Sequence, residues 1–597
     1  MTAAVLGRFG RIRLPSLLAG LLLVVAFYAL DNSSNTIRVR FVPPWDASAR
    51  GELYFWLGAT FFLLPGATLI GASLSQLCRP AFERAVSKLE ATQGRERIAL
   101  WATLGIVAWS LARIGNQAVM LGQPFTDDED AAHFGGQVLA SGSLWAPLPP
   151  MRFAFPDLFL FQRGSHWTSF DFPGALLPWT FAELTGSDTL VFSLFACLVP
   201  VSVAVACARR QGTSAGLLAG GLLLCSPMAV TLSMTSHTHV VSRGLLALGF
   251  GLILFVDRPT LLRSLAAGLA FGCAIATRPA ESTLLLTPLC LAWSYDALRE
   301  PVKRPRLLGL LLGAGPVVLA LLAYNHALTD TFGFPRSALN DIPSVSGMIM
   351  RSPLSPERFW PRFGNNFSYN LLTLSIWYLG PVGLYLAWLG VHASREHELL
   401  GAGVLLALCL ALLHDDRGLH MVGPVHLSEL AVPLTLLAVA GIPRVLSALE
   451  KVGVARAHAA LAFAGYVVLG LNLFTSWHAI ALRDQALARL GLSEMIEAIP
   501  ERPAVVLAGP FERLRTKYTL QGGVGSFVYE WRRARPDWSE PVLILHDSER
   551  AQAEVGRAFP ARTAYVFDPG KYGPHPKTLR EAREGPPVAA PLVPKAH

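Results

Sequence analysis

Pro124-Phe125-Thr126-Asp127-Asp128-Glu129-Asp130-Ala131-Ala132-His133-Phe134 sets four carboxylates in a row directly after an apolar stretch near 99–121. Charges of one sign this close together do not stay in contact with lipid, so the run marks where a helix leaves a membrane. It also supplies a base or a cation-binding position, because crowding and partial desolvation raise the pKa of at least one carboxyl group. Just before it, Arg113, Asn116 and Gln117 stand at i, i+3 and i+4, which places them on one helix face. The bland alternative is a solvated acidic loop with Arg113 snorkelling to the interface.

The rest of the chain agrees with the membrane reading. Of 597 residues, 52% are hydrophobic and 15% are charged, with a mean hydropathy of +0.43. Soluble domains carry about 25% charged residues, so much of this surface does not face water. Disordered, collagenous and coiled-coil chains are excluded on the same grounds. The net charge of +9 does not point to nucleic acid, because Lys and Arg recur in short clusters between apolar runs, as orientation signals do. The seven cysteines lie in or beside apolar segments and imply no disulfide framework.

About thirteen apolar stretches are long enough to count as membrane segments, near 14–30, 53–75, 99–121, 188–208, 214–233, 240–256, 261–277, 281–296, 307–327, 370–391, 399–414, 426–442 and 457–477. Gly and Pro interrupt several, so the expectation is an α-helical polytopic membrane protein with about 11–14 transmembrane helices. A cytoplasmic N-terminus puts the basic clusters 79–97, 209–210, 299–306 and 444–456 inside, and the long loops 122–187 and 328–369 outside. The first stretch comes after Arg8, Arg11 and Arg13 without a clear small-residue cleavage site, so it reads as a retained anchor.

The chain divides into three regions: an N-terminal hairpin and loop at 1–98, a membrane core at 99–477, and an extracytoplasmic C-terminal part at 478–597. In the last, Ala504-Val505-Val506-Leu507 and Pro541-Val542-Leu543-Ile544-Leu545 alternate with turn residues around a helix between Ser548 and Ala558. That is the pattern of a small α/β domain, with a Pro- and Ala-rich tail after it.

After the acidic run come Gly135-Gly136, then Ser141-Gly142, then an aromatic, Pro-rich loop and Phe170-Asp171-Phe172-Pro173-Gly174. Together these resemble the first outer loop of the GT-C membrane glycosyltransferases, in particular the relatives of protein mannosyltransferases and bacterial aminoarabinose transferases (glycosyltransferase family 39-like). Asp128-Glu129 matches that group's acidic pair, and Phe172-Pro173-Gly174 most of its aromatic-Pro-Pro-Gly turn. Ser236-His237-Thr238, Thr277-Arg278-Pro279-Ala280-Glu281, Tyr324-Asn325 with Thr329, and Gly423-Pro424-Val425-His426-Leu427-Ser428-Glu429 resemble further motifs in the same order. Residues 99–445 carry the resemblance. It departs at Val425-His426, where an Arg-Tyr pair is usual, at Asp171, where an aromatic is common, and at Phe170, where many members have Lys.

The resemblance implies transfer of a sugar from a polyprenyl-phosphate-linked donor to an envelope lipid, glycan or protein acceptor at the outer face of a bacterial inner membrane. Asp128 is then the expected base and Glu129 its runner-up. Arg278, Arg113 and His426 are expected at the donor phosphate, and Asp127, Asp171, His237 and Glu429 around the substrate. A divalent cation is the open cofactor question. His237 with His239, and His414, Asp415, Asp416, His420 and His426, have weak metal-ligand spacing, and a satisfied interfacial histidine is commoner. The aromatic residues Trp145, Phe153, Phe155, Phe159, Phe161 and Trp167 read either as a sugar- or lipid-facing surface or as interfacial anchors. Two readings of other classes stand beside the enzyme: a secondary transporter, which calls for two pseudo-symmetric halves that are not visible here, and a non-catalytic envelope assembly protein.

Overall fold

The computed structural model describes residues 13–33, 57–124, 126–155, 159–187, 189–332, 367, 370–413, 419–420, 423–509, 534–568, 571–572 and 575–584. Within them every apolar stretch read from the sequence coincides with a helix or a bent helix pair. Five helices are long and apolar enough to cross a membrane: Gly94–Val119, Leu190–Gln211, Pro301–Thr329, Val425–Lys451 and Arg456–Ile480. Three bent pairs raise the number to eight: Ala59–Ser73 with Ser75–Ala91, Thr213–Cys225 with Pro227–Ser233, and Asn370–Trp377 with Gly380–Val391. The three shorter apolar helices Leu14–Ala29, Thr238–Ile253 and Leu261–Thr277 bring the count to the lower end of the expected range.

These are the helices of an integral membrane protein. Ile98, Ile106, Leu111 and Ile114 are 44 to 68% exposed on Gly94–Ile114, and Leu308, Leu311, Leu312 and Leu319 are 50 to 68% exposed on Arg304–Thr329. In water such stripes would forfeit hydrophobic free energy at every turn; against lipid chains they lose nothing. At the centre of the bundle, every residue from Ala431 to Gly441 is buried.

Helix α1 is Gly94–Ile114, and α2 is Asp127–Ala140. Strands β1 (Ala146–Pro147), β2 (Leu160–Arg163) and β3 (His166–Ser169) form an antiparallel sheet of order β1-β3-β2 in the first long loop. Helix α3 is Pro173–Thr185, α4 is Thr213–Cys225, α5 is Pro227–Ser233, α6 is Thr238–Ile253, α7 is Leu261–Thr277 and α8 is Pro279–Arg299. Helix α9 is Asn472–Glu497, and it runs unbroken through the expected domain boundary at 477–478.

Beyond it come β4 (Ala504–Ala508), β5 (Val542–His546), helix α10 (Glu549–Ala558), β6 (Thr563–Phe567) and β7 (Lys577–Thr578), in the sheet order β5-β4-β6-β7. Strands β5 and β6 flank β4 in parallel, with Val505 opposite Leu543 and Ala564. Strands buried on both faces read as continuous apolar runs, which is why Ala504-Val505-Val506-Leu507 does not alternate with polar residues. One face packs on Ile496 and Ile499 at the end of α9. The other joins α10 in a single core with Phe134 and Val138 of α2 and with Phe155, Leu160 and Trp167 of the first long loop.

The sheet domain therefore lies directly against the helix that carries the carboxylates. It also explains most of the loop's aromatic rings. Trp167, Phe155 and Phe161 are buried packing residues, with Phe155 6.3 Å from Phe559, while Phe153 lies under the Arg550 guanidinium at 3.9 Å. The expected C-terminal tail from residue 585 on, His414, Asp415 and Asp416, and most of the loop 328–369 lie outside the described residues, while the short helix Leu579–Glu584 occupies the start of that tail.

Candidate functional site

The four carboxylates have separate surroundings. Thr126, in an extended conformation, caps α2: its hydroxyl accepts from Glu129 N, while the Glu129 carboxylate accepts from Thr126 N at 3.0 Å. This is a capping box, and acidic residues in a first turn also complement the helix dipole. The other oxygen of Glu129 accepts from Ser236 N and Ser236 Oγ, each at 2.8 Å. Glu129 is thus 1% exposed and committed at both oxygens. Asp130 is paired with Arg489 of α9 at 2.5 Å, and Arg489 also donates to Pro124 O at 2.8 Å. Asp127 is 1% exposed, whereas the side chain of Asp128 is 31% exposed.

Asp128 faces a cluster assembled from three places in the chain. His237 caps α6 with Nδ1 accepting from His239 N, so in the neutral ring Nε2 carries the proton; it stands 3.7 Å from Asp128 Oδ2. The His239 ring lies 4.9 Å from that of His237 and 5.8 Å from that of His426. His239 Nδ1 bonds Glu429 at 2.7 Å, and Ser242 and Ser428 donate to the same carboxylate. Arg278 sits at the break between α7 and α8, where Pro279 starts a new helix; its Nη2 donates to Glu281 at 2.6 Å and lies 3.4 Å from His426 Nδ1. Both Arg278 Nε and His237 Nε2 are buried without a hydrogen-bond partner.

Local sequence explains how the elements meet. A Cβ on Gly136 would fall 2.4 Å from Trp179 Cβ, so only glycine lets α2 lie on α3. At Gly174 a Cβ would fall 2.6 Å from Thr277 N, so the Phe172-Pro173-Gly174 turn presses against the residue before Arg278. Asp171 in that turn is buried and accepts from Ser169 Oγ at 2.9 Å. Phe170 packs 5.1 Å from Phe159 and Val425 is 2% exposed; at both departures from the family pattern the side chain fills core space.

The structure therefore gathers Asp128, Glu129, His237, Arg278, His426 and Glu429 around one place. Arg113 is held elsewhere: it donates to Thr189 Oγ1 at 2.9 Å, and Thr189 in turn donates to Asn116. The expected shared face of Arg113, Asn116 and Gln117 is broken by the π-helical turn Gly115–Val119, whose wider spacing buries Asn116 and exposes Gln117. Among the described residues no three His, Cys, Asp or Glu are disposed to hold a metal ion.

Arg489 and Arg243 went unmarked in the sequence, and His239 was marked only as a weak metal ligand beside His237. His239 and Arg489 found partners across 190 and 359 residues, which no local pattern encodes. Arg243 is fully buried in α6 and donates to Met228 O, Ala229 O and Ser233 Oγ, tying down α5 beyond the 65° bend after α4. A lone arginine in the apolar stretch 240–256 was the available signal.

Beside the site, on α2 and α3, His133 bonds Glu183 at 2.7 Å and holds its carboxyl down at about 2, against burial that pushes it up; Gln137 and Arg535 add to the lowering. A depressed carboxyl stabilises the fold above its unfolded value of 4.5, and that contribution disappears as pH falls through about 2. Wild type will therefore lose unfolding temperature between pH 4.5 and 2 more steeply than Glu183→Gln. Parallel melting curves would refute this.

No family model matches the chain, and no curated protein matches it either. Solved structures do. ArnT from Cupriavidus metallidurans bound to undecaprenyl phosphate is similar with 14% identity, covering 79% of this chain and 92% of that one, at a TM-score of 0.44. The Archaeoglobus fulgidus oligosaccharyltransferase in complex with Zn and sulfate is similar with 12% identity, covering 73% of this chain and 58% of that one, at a TM-score of 0.42.

Proposed function

We propose that this protein is an integral membrane glycosyltransferase that moves a sugar from a polyprenyl-phosphate-linked donor to an envelope lipid, glycan or protein acceptor. The reaction lies at the extracytoplasmic face, in the bacterial inner membrane that the sequence resemblance implies. One observation carries the reading. A partly exposed carboxylate, Asp128, stands 3.7 Å from the His237 imidazole, in one cluster with the rings of His239 and His426 and the buried Arg278 guanidinium. A transfer with a phosphate leaving group needs that pairing: a base on the acceptor hydroxyl and cationic donors on the departing phosphate.

Asp128 takes the acceptor proton as the acceptor oxygen bonds the sugar carbon and the phosphate oxygen leaves it. Arg278 binds the phosphate through Nε, which is buried and unpartnered, while Nη2 is steadied by Glu281. Glu129 and Ser236 hold the Asp128 turn against the start of α6.

Arg278→Lys will weaken binding of undecaprenyl phosphate by about tenfold or more, because a lysine offers no planar fork. Unchanged affinity would make Arg278 a structural partner of Glu281 alone. The test of the function is mass spectrometry of envelope lipids and glycans from wild type, a deletion strain, and the deletion carrying Asp128→Asn at normal protein level. A shared missing sugar with accumulation of its polyprenyl-phosphate donor supports the transferase. A wild-type profile in the Asp128→Asn strain would favour an assembly protein or a transporter.

A further inference from the structure

The outer end of the helix Arg304–Thr329 carries polar side chains for which the base and the arginine have no use. Asn325 is 0% exposed, and its Oδ1 and Nδ2 are both buried without a hydrogen-bond partner. The hydroxyl of Tyr324, a residue 9% exposed, is buried and unpartnered as well. Unbonded buried polar atoms cost folding free energy, so three of them on adjacent residues call for a ligand. Polar side chains at membrane depth face the protein interior or a wet cavity and mark substrate paths.

Packing sets this turn beside the site. The helix runs alongside α7 in the same sense, with Leu310 against Gly268 and Ala314 against Gly272. Leu321 then shares a small core with Phe172 and with Ala276, two residues before Arg278. Asn325 follows Leu321 at i+4 on the same face, about 6 Å further along the axis, where α7 has already stopped at Thr277. Tyr324 and Leu328 share a core with Ala132 of α2, Leu176 and Trp179 of α3 and Val241 of α6, and Tyr324 is within reach of the Asp171 charge. The helix end is held there: Arg163 of β2 donates to Leu328 O at 3.1 Å and pairs with Asp330.

We propose that Asn325 and Tyr324 recognise hydroxyls on the sugar of the lipid-linked donor. The inference rests on the transferase reading. An amide donates through Nδ2 and accepts through Oδ1, and neighbouring sugar hydroxyls also do both, so the two groups pair side by side. An isoprenoid chain offers neither partner, and an ionised phosphate diester only accepts, which leaves Oδ1 unmet. With the phosphate on Arg278, the sugar joined to it lies in the layer that this helical turn borders.

Full-length protein in nanodiscs is titrated, with no acceptor present, with two lipids: undecaprenyl phosphate and the sugar-bearing donor that accumulates in the deletion strain. Tyr324→Phe is expected to lose about tenfold in affinity for the donor and Asn325→Leu about a hundredfold, since each removed partner strands a buried hydroxyl of the sugar. Affinity for undecaprenyl phosphate should not change, because that lipid carries no sugar. Neither variant should unfold at a lower temperature than wild type, because the atoms removed bond nothing within the protein, whereas a structural role requires the opposite. Equal loss for the two lipids, or unchanged donor affinity in a folded Tyr324→Phe protein, overturns the proposal, and Tyr324→Phe decides it even if Asn325→Leu does not fold. Failure of wild type to bind undecaprenyl phosphate, with no donor accumulating in the deletion strain, would instead bring down the transferase reading and this inference with it.

Discussion

Asp128→Asn will lower sugar transfer by about 10²- to 10⁴-fold while the protein still inserts and folds, the size of effect expected when a general base is removed. The neighbours define why this residue and not another. Glu129 accepts from Thr126 and Ser236, so Glu129→Gln removes charge-assisted bonds at a helix cap and at the start of α6. Its main expected loss is stability, about 1 kcal/mol or more for the cap alone. Asp130 is neutralised by Arg489, and Asp127 is fully buried. Asp128 is the carboxylate with a partly open side chain, and asparagine matches its shape in the first helical turn. Purified protein supplied with the donor lipid that accumulates in the deletion strain would show the loss directly. Normal transfer by a folded Asp128→Asn protein would remove Asp128 from the chemistry.

The membrane helices were legible because their signal is local. Each is a run of apolar residues, and two of the three bends fall where Pro227 and Gly380 interrupt the run. The sheet was legible for the same reason, from two short valine- and leucine-rich strands. The site was legible only in part. Asp128, Arg278, His426 and Glu429 were marked by motifs, and motifs survive as short strings. What those strings do not contain is who meets whom. His239 became informative only once Glu429 was placed beside it, and Arg489 only beside Asp130. Arg113 is bonded to Thr189 instead, and a π-turn after it changed the helical spacing on which its expected shared face with Asn116 and Gln117 depended. The loop aromatics carry no label for burial in the sequence; here Phe155, Phe159 and Trp167 join the core that the C-terminal sheet completes, and Phe161 packs with Phe170.

That covering makes the second large effect fall far from the chemistry. Arg489→Met will destabilise the protein by about 3–5 kcal/mol, because it strands Asp130 as a buried charge. The side chains of the pair are 5% and 7% exposed, so water cannot take the arginine's place cheaply. The helix dipole at the start of α2 returns only about 0.3–1 kcal/mol to an unpaired carboxylate. Pro124 O loses its donor in the same substitution. A buried ion pair need not be worth much relative to an apolar pair of similar size, so Asp130→Asn with Arg489→Met should regain most of the loss. Chemical unfolding of the four proteins in the same detergent gives that cycle. An Arg489→Met protein within about 0.5 kcal/mol of wild type would show that the pair does not bear on stability. Transfer should fall in Arg489→Met by more than the folded fraction does, since Asp130 lies two residues from Asp128 in the same helical turn. Removing the chain beyond Ile499 is a different perturbation: it keeps Arg489 but uncovers Phe134, Phe155 and Trp167, whose core the sheet completes. If the double replacement restores stability but not transfer, the arginine positions the base. If it restores both, α9 serves chiefly to hold the outer elements together.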